Sequence, residues 1–168
     1  GLLWIRGQSN DYDNWRQQGN KAWGWDDVLP YFLKSENNEL GKSEFHNDKG
    51  PITVANKKIN LKLLDEFQNA AEEFGIPKTN DFNTGDNTGV GFFQFTTSFN
   101  KVGLKLRCSA AKGYLNPVKK RSNLKIIVNA HVEKINFEGK KAVGVNYFID
   151  GKLNTVNTNK EVILSAGS

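Results

Sequence analysis

Residues 124–168 read LKIIVNAHVEKINFEGKKAVGVNYFIDGKLNTVNTNKEVILSAGS, and they carry the clearest hydrophobic period of the chain. Apolar residues alternate over short runs: Ile126, Val128 and Ala130, then Val132, Ile135 and Phe137, then Val143, Val145 and Tyr147. Alternation places every second side chain on one face, so these runs are predicted strands. Glu138-Gly139 and Asp150-Gly151 stand between them and supply the positive φ of tight hairpin turns, which makes the stretch a β-meander. The last run, Val162-Ile163-Leu164, is apolar at every position, as expected of a strand covered on both faces. It leads into the small residues Ser165-Ala166-Gly167-Ser168.

A buried strand that ends in a small-residue turn ordinarily delivers backbone to a ligand or into a following helix. The sequence stops there, and at its other end Gly1-Leu2-Leu3-Trp4-Ile5 opens inside an apolar run without an initiator Met. The expectation is an internal fragment, with Val162–Leu164 left as an exposed apolar edge that favours association.

Composition bounds the rest. Hydrophobic residues make up 38%, and 11 Phe with 4 Trp give enough bulk for a core, which excludes a disordered chain. The formal charge of +5 is scattered except at Lys119-Lys120-Arg121, a balance that permits an anionic ligand without demanding one. Cys108 is the only cysteine, so no intrachain disulfide exists, and with no His or acid near it in sequence it reads as a core thiol. No apolar run approaches the roughly 18 residues of a membrane span.

Upstream of the meander, Ser9 or Asn10 is placed to cap a short helix over Asp11–Gln17. Asp26 caps a following turn, Pro30 suits the opening of a second helix, and Trp23, Trp25, Leu29, Phe32 and Leu33 form an apolar stripe read as core. Residues 38–50 are polar and Gly-bearing, a predicted surface loop in which His46 is solvated. Ile52–Val54 is a short strand. A long amphipathic helix follows, capped by Asn60, running through Leu61, Leu64, Phe67, Ala71 and Phe74 as a core face, and closed by Gly75 and Pro77. Asp81–Gly89 (DFNTGDNTG) is rich in oxygen side chains but fails the calcium-loop template, since Phe92 stands where a bidentate Glu is needed; a hydrogen-bonded turn is the reading, and no metal site is expected. It feeds a strand, Val90–Thr97, in which Gln94 is directed toward a cavity. Ser109 then caps a helix, SAAKGYL, stopped by Asn116-Pro117.

Taken in order, RGQSNDYDNWRQQGNKAWGWDDVLPYFLKSE, GIPKTNDFNTGDNTGVGFFQ, LRCSAAKGYLNP, NLKIIVNAHVEKINFEGKKAVGV and KEVILSAGS resemble the glucose-methanol-choline (GMC) oxidoreductases, especially their choline dehydrogenase-like branch. The resemblance covers nearly the whole chain. It implies an α+β fold: part of a Rossmann-like FAD-binding domain, contributing the meander and buried strand, with part of an antiparallel-sheet substrate domain. The implied division is 1–49, a flavin-side strand and helical segment; 50–105, a substrate-domain part; and 106–168, the helix, meander and terminal strand of the FAD-binding part.

The resemblance further implies FAD as cofactor, a small-molecule alcohol as substrate, and hydride transfer from the alcohol carbon to the flavin. Gly1, Leu2 and Leu3 match a backbone segment lining the isoalloxazine, Val132 a position whose backbone pairs with the adenine edge, and Ala166 and Gly167 the small-residue turn near the nucleotide. The family's Gly-rich dinucleotide turn and catalytic His match nothing in this sequence, so no catalytic residue is assigned, His131 reads as a structural strand residue, and the isolated chain is expected to be inactive. Location is expected to be cytoplasmic, or at a membrane through the electron acceptor, which the sequence does not identify.

Two other readings compete. GFFQF flanked by Lys101, Lys105 and Arg107 suggests a stacking strand for single-stranded nucleic acid, but a companion aromatic strand and a dense basic face are missing, and no nucleic-acid partner is expected. A shortened homologue that has lost catalysis and serves as an interaction domain is the other.

Overall fold

A computed structural model of the chain describes residues 1–56, 61–99, 102–103 and 105–167. Contacts divide it into two units, Gly1–Lys119 and Lys120–Ser168.

The first unit is organised by a mixed sheet. Strands β1 (Leu3–Trp4), β2 (Glu36–Asn38), β3 (Ile52–Asn56) and β4 (Gln94–Phe99) lie in the order β1-β4-β3-β2, with β5 (Lys105–Arg107) paired to β4. β4 is antiparallel to β1, β3 and β5, whereas β2 runs parallel to β3. The register aligns Trp4 with Gln94, Gln94 with Asn56, Thr96 with Val54, and Val54 with Asn38. Because side chains alternate with period two, Trp4, Glu36, Asn38, Ile52, Val54 and Gln94 share one face. Ile52, Val54 and Cys108 make its apolar part, with Trp4 packed on them, and Cys108 is the buried thiol expected from the sequence. Glu36, Asn38 and Gln94 make its polar part, and all three are buried.

Helix α1 spans Ser9–Gln17 and begins two residues earlier than the sequence predicts. Gln8 is its N-cap, in place of Ser9 or Asn10, because the Asp11 carboxylate reaches back to accept the Gln8 N–H at 2.7 Å. Helix α2, Trp25–Ser35, starts in the same way, with Asp27 accepting the Gly24 N–H at 3.0 Å. Pro30 therefore sits inside α2 and not at its opening, where it leaves the Asp26 carbonyl without an intrahelical donor. The apolar stripe is only partly realised: Tyr12 is the buried centre, within 5.7 Å of the Trp25 and Phe32 rings, while Trp23 is exposed.

Helix α3, Lys62–Glu73, ends as the sequence requires. Gly75 has φ +95°, its N–H donates to Glu72 and the Ile76 N–H donates to Ala71, the paired bonds of a Schellman stop. The predicted Asn60 cap lies outside the described residues. The core role expected of this helix is not met within the unit: Phe67 is 66% exposed and Phe74 86%, since no element among the described residues of this unit covers that face. After β5, the Ser109 hydroxyl accepts the Lys112 N–H at 3.3 Å, consistent with a cap, but a π-helical turn over Ala111–Leu115 runs straight into α4 (Asn116–Val118). Pro117 does not stop it, because a proline near a helix start removes a donor that has no partner there.

The second unit is the meander. β6 (His131–Glu138), β7 (Lys141–Ile149) and β8 (Lys152–Asn157) form an antiparallel sheet in sequential order. Asp150 and Gly151 both have positive φ, as a primed two-residue turn requires. In the first hairpin Glu138 pairs with Lys141, so the turn is Gly139-Lys140 and Glu138 belongs to the strand. Ile126–Ala130, read as a strand from its alternation, joins no sheet, and Val162–Leu164 also pairs with nothing among the described residues. Ile163 is 79% exposed and Leu164 72%, so a run with the composition of a doubly covered strand lacks cover in this unit.

Candidate functional site

On the polar part of the sheet face, four ionisable side chains meet in the interior. Arg6, which follows β1, places Nη2 2.8 Å from Glu36 Oε1, with both side chains almost wholly buried. His46 lies between two carboxylates, Nδ1 3.0 Å from Glu36 Oε1 and Nε2 2.6 Å from Asp81 Oδ2. The loop expectation is thus overturned for His46, which is 4% exposed. Its segment is held down locally: the Ser43 hydroxyl accepts the His46 N–H, and Gly50 lies so close to the Glu36 backbone that any side chain there would collide with it.

Burial opposes charge on His46, but the hydrogen bonds and charges of Asp81 and Glu36 outweigh it and raise its pKa to about 9. Burial likewise opposes ionisation of Glu36, and the His46 hydrogen bond with the charges of Arg6 and His46 reverses the balance, holding that carboxyl below its ordinary value. Asp81 is lowered in the same manner: burial is outweighed by His46, the Asn83 N–H, and the charges of His46 and Arg6. The cluster is therefore two cations against two anions, neutral as a whole.

Asn38 Nδ2 lies 3.0 Å from His46 Nδ1, as near as Glu36 Oε1. Only a neutral imidazole could accept from the amide, and it would then set its lone pair against the Glu36 carboxylate. The charge-assisted bond is about twice as strong as a neutral one, so Nδ1–H donates to Glu36. The Asn38 amide instead donates to Gln94 Oε1 at 3.2 Å.

This cluster fastens the first strand. Trp4 Nε1 donates to Glu36 Oε2 at 3.0 Å. Asn83 Oδ1 accepts the Arg6 N–H at 2.8 Å while its Nδ2 lies 3.3 Å from the Trp4 carbonyl, so one side-chain amide serves the two backbone groups that flank Ile5 as a residue of a parallel strand would. The Arg6 guanidinium also donates to the Phe45 and Asn83 carbonyls and stacks over Phe32 at 5.3 Å. The Asp81–Gly89 segment is accordingly a hydrogen-bonded loop that clamps β1, and no cluster suited to a metal occurs among the described residues.

Beside the cluster lies a cleft of about 540 Å³, within the range of small-molecule sites, whose walls include Gly1, Leu3, Trp4, Arg107 and Tyr114. Trp4 belongs to both: it lines the cleft and its Nε1 bonds the cluster. Of the residues singled out in the sequence, Gly1 and Leu3 meet here, and Leu2 is anchored beside them by its carbonyl, which accepts the Thr96 N–H at 2.8 Å. A Cβ added at Gly1 would meet nothing within 4 Å, so a flat ring could approach that backbone. Val132 lies on β6, an edge strand of the meander sheet, next to a register shift between Val132 and Lys134. A planar heterocycle could therefore pair with backbone groups on that open edge. Ala166 and Gly167 are exposed near the end of the same unit, with open space at Gly167. Each of these segments therefore leaves backbone open to a ligand within its own unit.

The sequence offers no signal for Arg6, Glu36 or Asn83, and it shows His46 only as a loop residue and Asp81 only as part of a turn. Their partners lie up to 81 positions away, and no spacing rule joins them. The one local hint is a His shortly before a Gly-Pro turn that leads into a buried strand.

The GMC oxidoreductase family model matches residues 1–168. The oxygen-dependent choline dehydrogenase of Pectobacterium carotovorum is 39% identical over 170 residues, covering 100% of this chain and 30% of that protein. The human mitochondrial choline dehydrogenase is 37% identical over 167 residues, covering 99% of this chain and 27% of its own length. Among solved structures, an FAD-dependent oxidoreductase from Chaetomium thermophilum superposes with a TM-score of 0.86 at 29% identity, over 98% of this chain and 30% of that one. The chain thus spans about 30% of the length of the relatives it matches.

Proposed function

The chain belongs to the GMC oxidoreductase family, and from that premise we propose that it forms the flavin-flanking part of an FAD-dependent enzyme that oxidises a small alcohol of the choline type. The observation that carries this reading is the match of 99–100% of the chain to choline dehydrogenases at 37–39% identity. Bound FAD would supply the hydride acceptor. The chain's own residues would supply its surroundings: Gly1–Leu3 as backbone against the ring, Val132 as an edge for the adenine, and Ala166-Gly167 as a turn small enough for close approach.

Neither histidine is placed to take the hydroxyl proton. His46 is already protonated between two carboxylates, and His131 stands exposed on β6. Residues 1–168 alone are therefore expected neither to retain FAD nor to turn over an alcohol. The absence of a helix long and apolar enough to cross a membrane, among the described residues, is compatible with either a cytoplasmic enzyme or one that meets a membrane through its electron acceptor.

The test is to express the complete open reading frame that encodes this chain and, separately, residues 1–168. The complete protein should purify with flavin, and its oxidised flavin absorption should bleach anaerobically on addition of choline or a simple primary alcohol. A complete protein that binds no flavin, or whose flavin no alcohol reduces, overturns the reading. Turnover by residues 1–168 that His131→Ala abolishes would overturn the assignment of roles.

A further inference from the structure

Four charges in one buried cluster are a poor source of stability, since apolar side chains of similar volume serve a core at least as well. Their position is more informative. The chain of contacts from Asp81 through His46 and Glu36 ends on the indole of Trp4, and Trp4 is a wall of the cleft. The same loop that supplies Asp81 supplies Asn83, whose amide fastens the backbone on either side of Ile5.

We propose that Asp81, His46 and Glu36 act as positioning residues for the cofactor cleft, fixing the Trp4 indole and, through it, the Gly1–Leu3 backbone in the geometry that receives the flavin. This rests on the flavin reading of the cleft given above. Each link is directional. Asp81 and Glu36 hold the imidazolium at both ring nitrogens, which fixes the ring plane. Glu36 then has Oε1 occupied by His46 and Arg6, so Oε2 is the atom that faces the indole N–H. Loss of the imidazolium charge frees the carboxylate to turn, and the Trp4 indole N–H loses its Glu36 acceptor. The charged groups facing His46 are Arg6 beyond β1, Glu36 on β2 and Asp81 on the loop before β4.

The experiment uses the complete flavoprotein in three variants. Gly1→Val tests the premise, because a side chain there meets only what enters the cleft. Trp4→Phe keeps an aromatic wall and removes the indole N–H with one ring's bulk, and His46→Gln removes the positive charge while keeping a donor. Flavin circular dichroism, the FAD dissociation constant of reconstituted apoprotein, and thermal stability are measured for each. Trp4→Phe and His46→Gln should both alter the flavin dichroism and weaken FAD about tenfold, roughly the worth of one oriented hydrogen bond to a charge. The wild-type dichroism should also change as pH rises through about 9, a step missing from His46→Gln. If Gly1→Val perturbs the flavin while Trp4→Phe changes thermal stability alone, the positioning role is overturned and the flavin reading stands. If Gly1→Val leaves the flavin untouched, the premise fails and the inference with it. Trp4→Phe keeps the inference testable even if His46→Gln does not fold.

Discussion

The two units of this protein are held together by different kinds of interaction. In Lys120–Ser168 the described strands pair with their sequence neighbours, β6 with β7 and β7 with β8, through turns of two residues. In Gly1–Lys119 the sheet order β1-β4-β3-β2 is unrelated to chain order, and its interior joins Arg6, Glu36, His46 and Asp81 from separate segments. A local sheet depends on many small, independent terms: turn geometry, cross-strand pairs and alternation, each on the order of 1 kcal/mol or less. A buried charged cluster depends on a few large terms that fail together, because removing one partner strands the others in a low-dielectric interior. The first unit should therefore be brittle at a handful of positions and the second tolerant at most.

The largest effect is expected at Glu36, which is fully buried and contacts both cations. Glu36→Ala should destabilise the first unit by about 3–5 kcal/mol, the usual cost of breaking a buried pair by removing one partner. Glu72→Ala, at the exposed pair with Lys78, should cost under about 1 kcal/mol. Urea denaturation followed by tryptophan fluorescence reports selectively on this unit, since all four Trp lie in it. Similar losses at both positions would break the comparison.

Next is pH. The folded-state pKa of His46 is raised to about 9 from an ordinary 6.5. Its contribution is therefore complete below pH 6.5 and disappears as pH rises through about 9, a loss on the order of 3 kcal/mol. Glu36 and Asp81 are shifted down, so their contribution is present above their ordinary values and is lost as pH falls through the lower folded ones. Stability of the first unit should peak between the ordinary carboxylate range and 6.5. In His46→Gln the alkaline limb should vanish and the acid limb should shrink, since His46 also holds both carboxyls down.

The smallest effect tests the other unit. Gly151 has φ +75° in the turn between β7 and β8. Gly151→Ala should cost about 1–2 kcal/mol, the penalty of a left-handed backbone for a residue with a Cβ. Hydrogen exchange should show faster opening confined to β7 and β8. A loss as large as that of Glu36→Ala would mean that the meander is not a sum of small local terms.

What the sequence determined by itself is what short-range chemistry encodes. The hairpins after Glu138 and Ile149, the Schellman stop at Gly75, the buried Cys108 and the strand beginning at Ile52 all follow from spacing, turn residues and apolar period. Gly1–Leu3 was reached only through family resemblance, since a short apolar run does not say what faces it. Tertiary structure decided the rest. Ile126–Ala130 and Val162–Leu164 have the period or composition of strands, yet a strand exists only with a partner, and in this chain they have none among the described residues. The amphipathic face of α3 has helical spacing but finds nothing among the described residues of its unit to cover it. His46 shows the limit in the opposite direction. Its neighbours in sequence are polar and its surroundings read as solvent, but Glu36 and Asp81 lie 10 and 35 positions away and meet it only once the sheet has formed. Their hydrogen bonds and charges then outweigh the cost of burying an imidazolium, and no property of the local sequence encodes that balance.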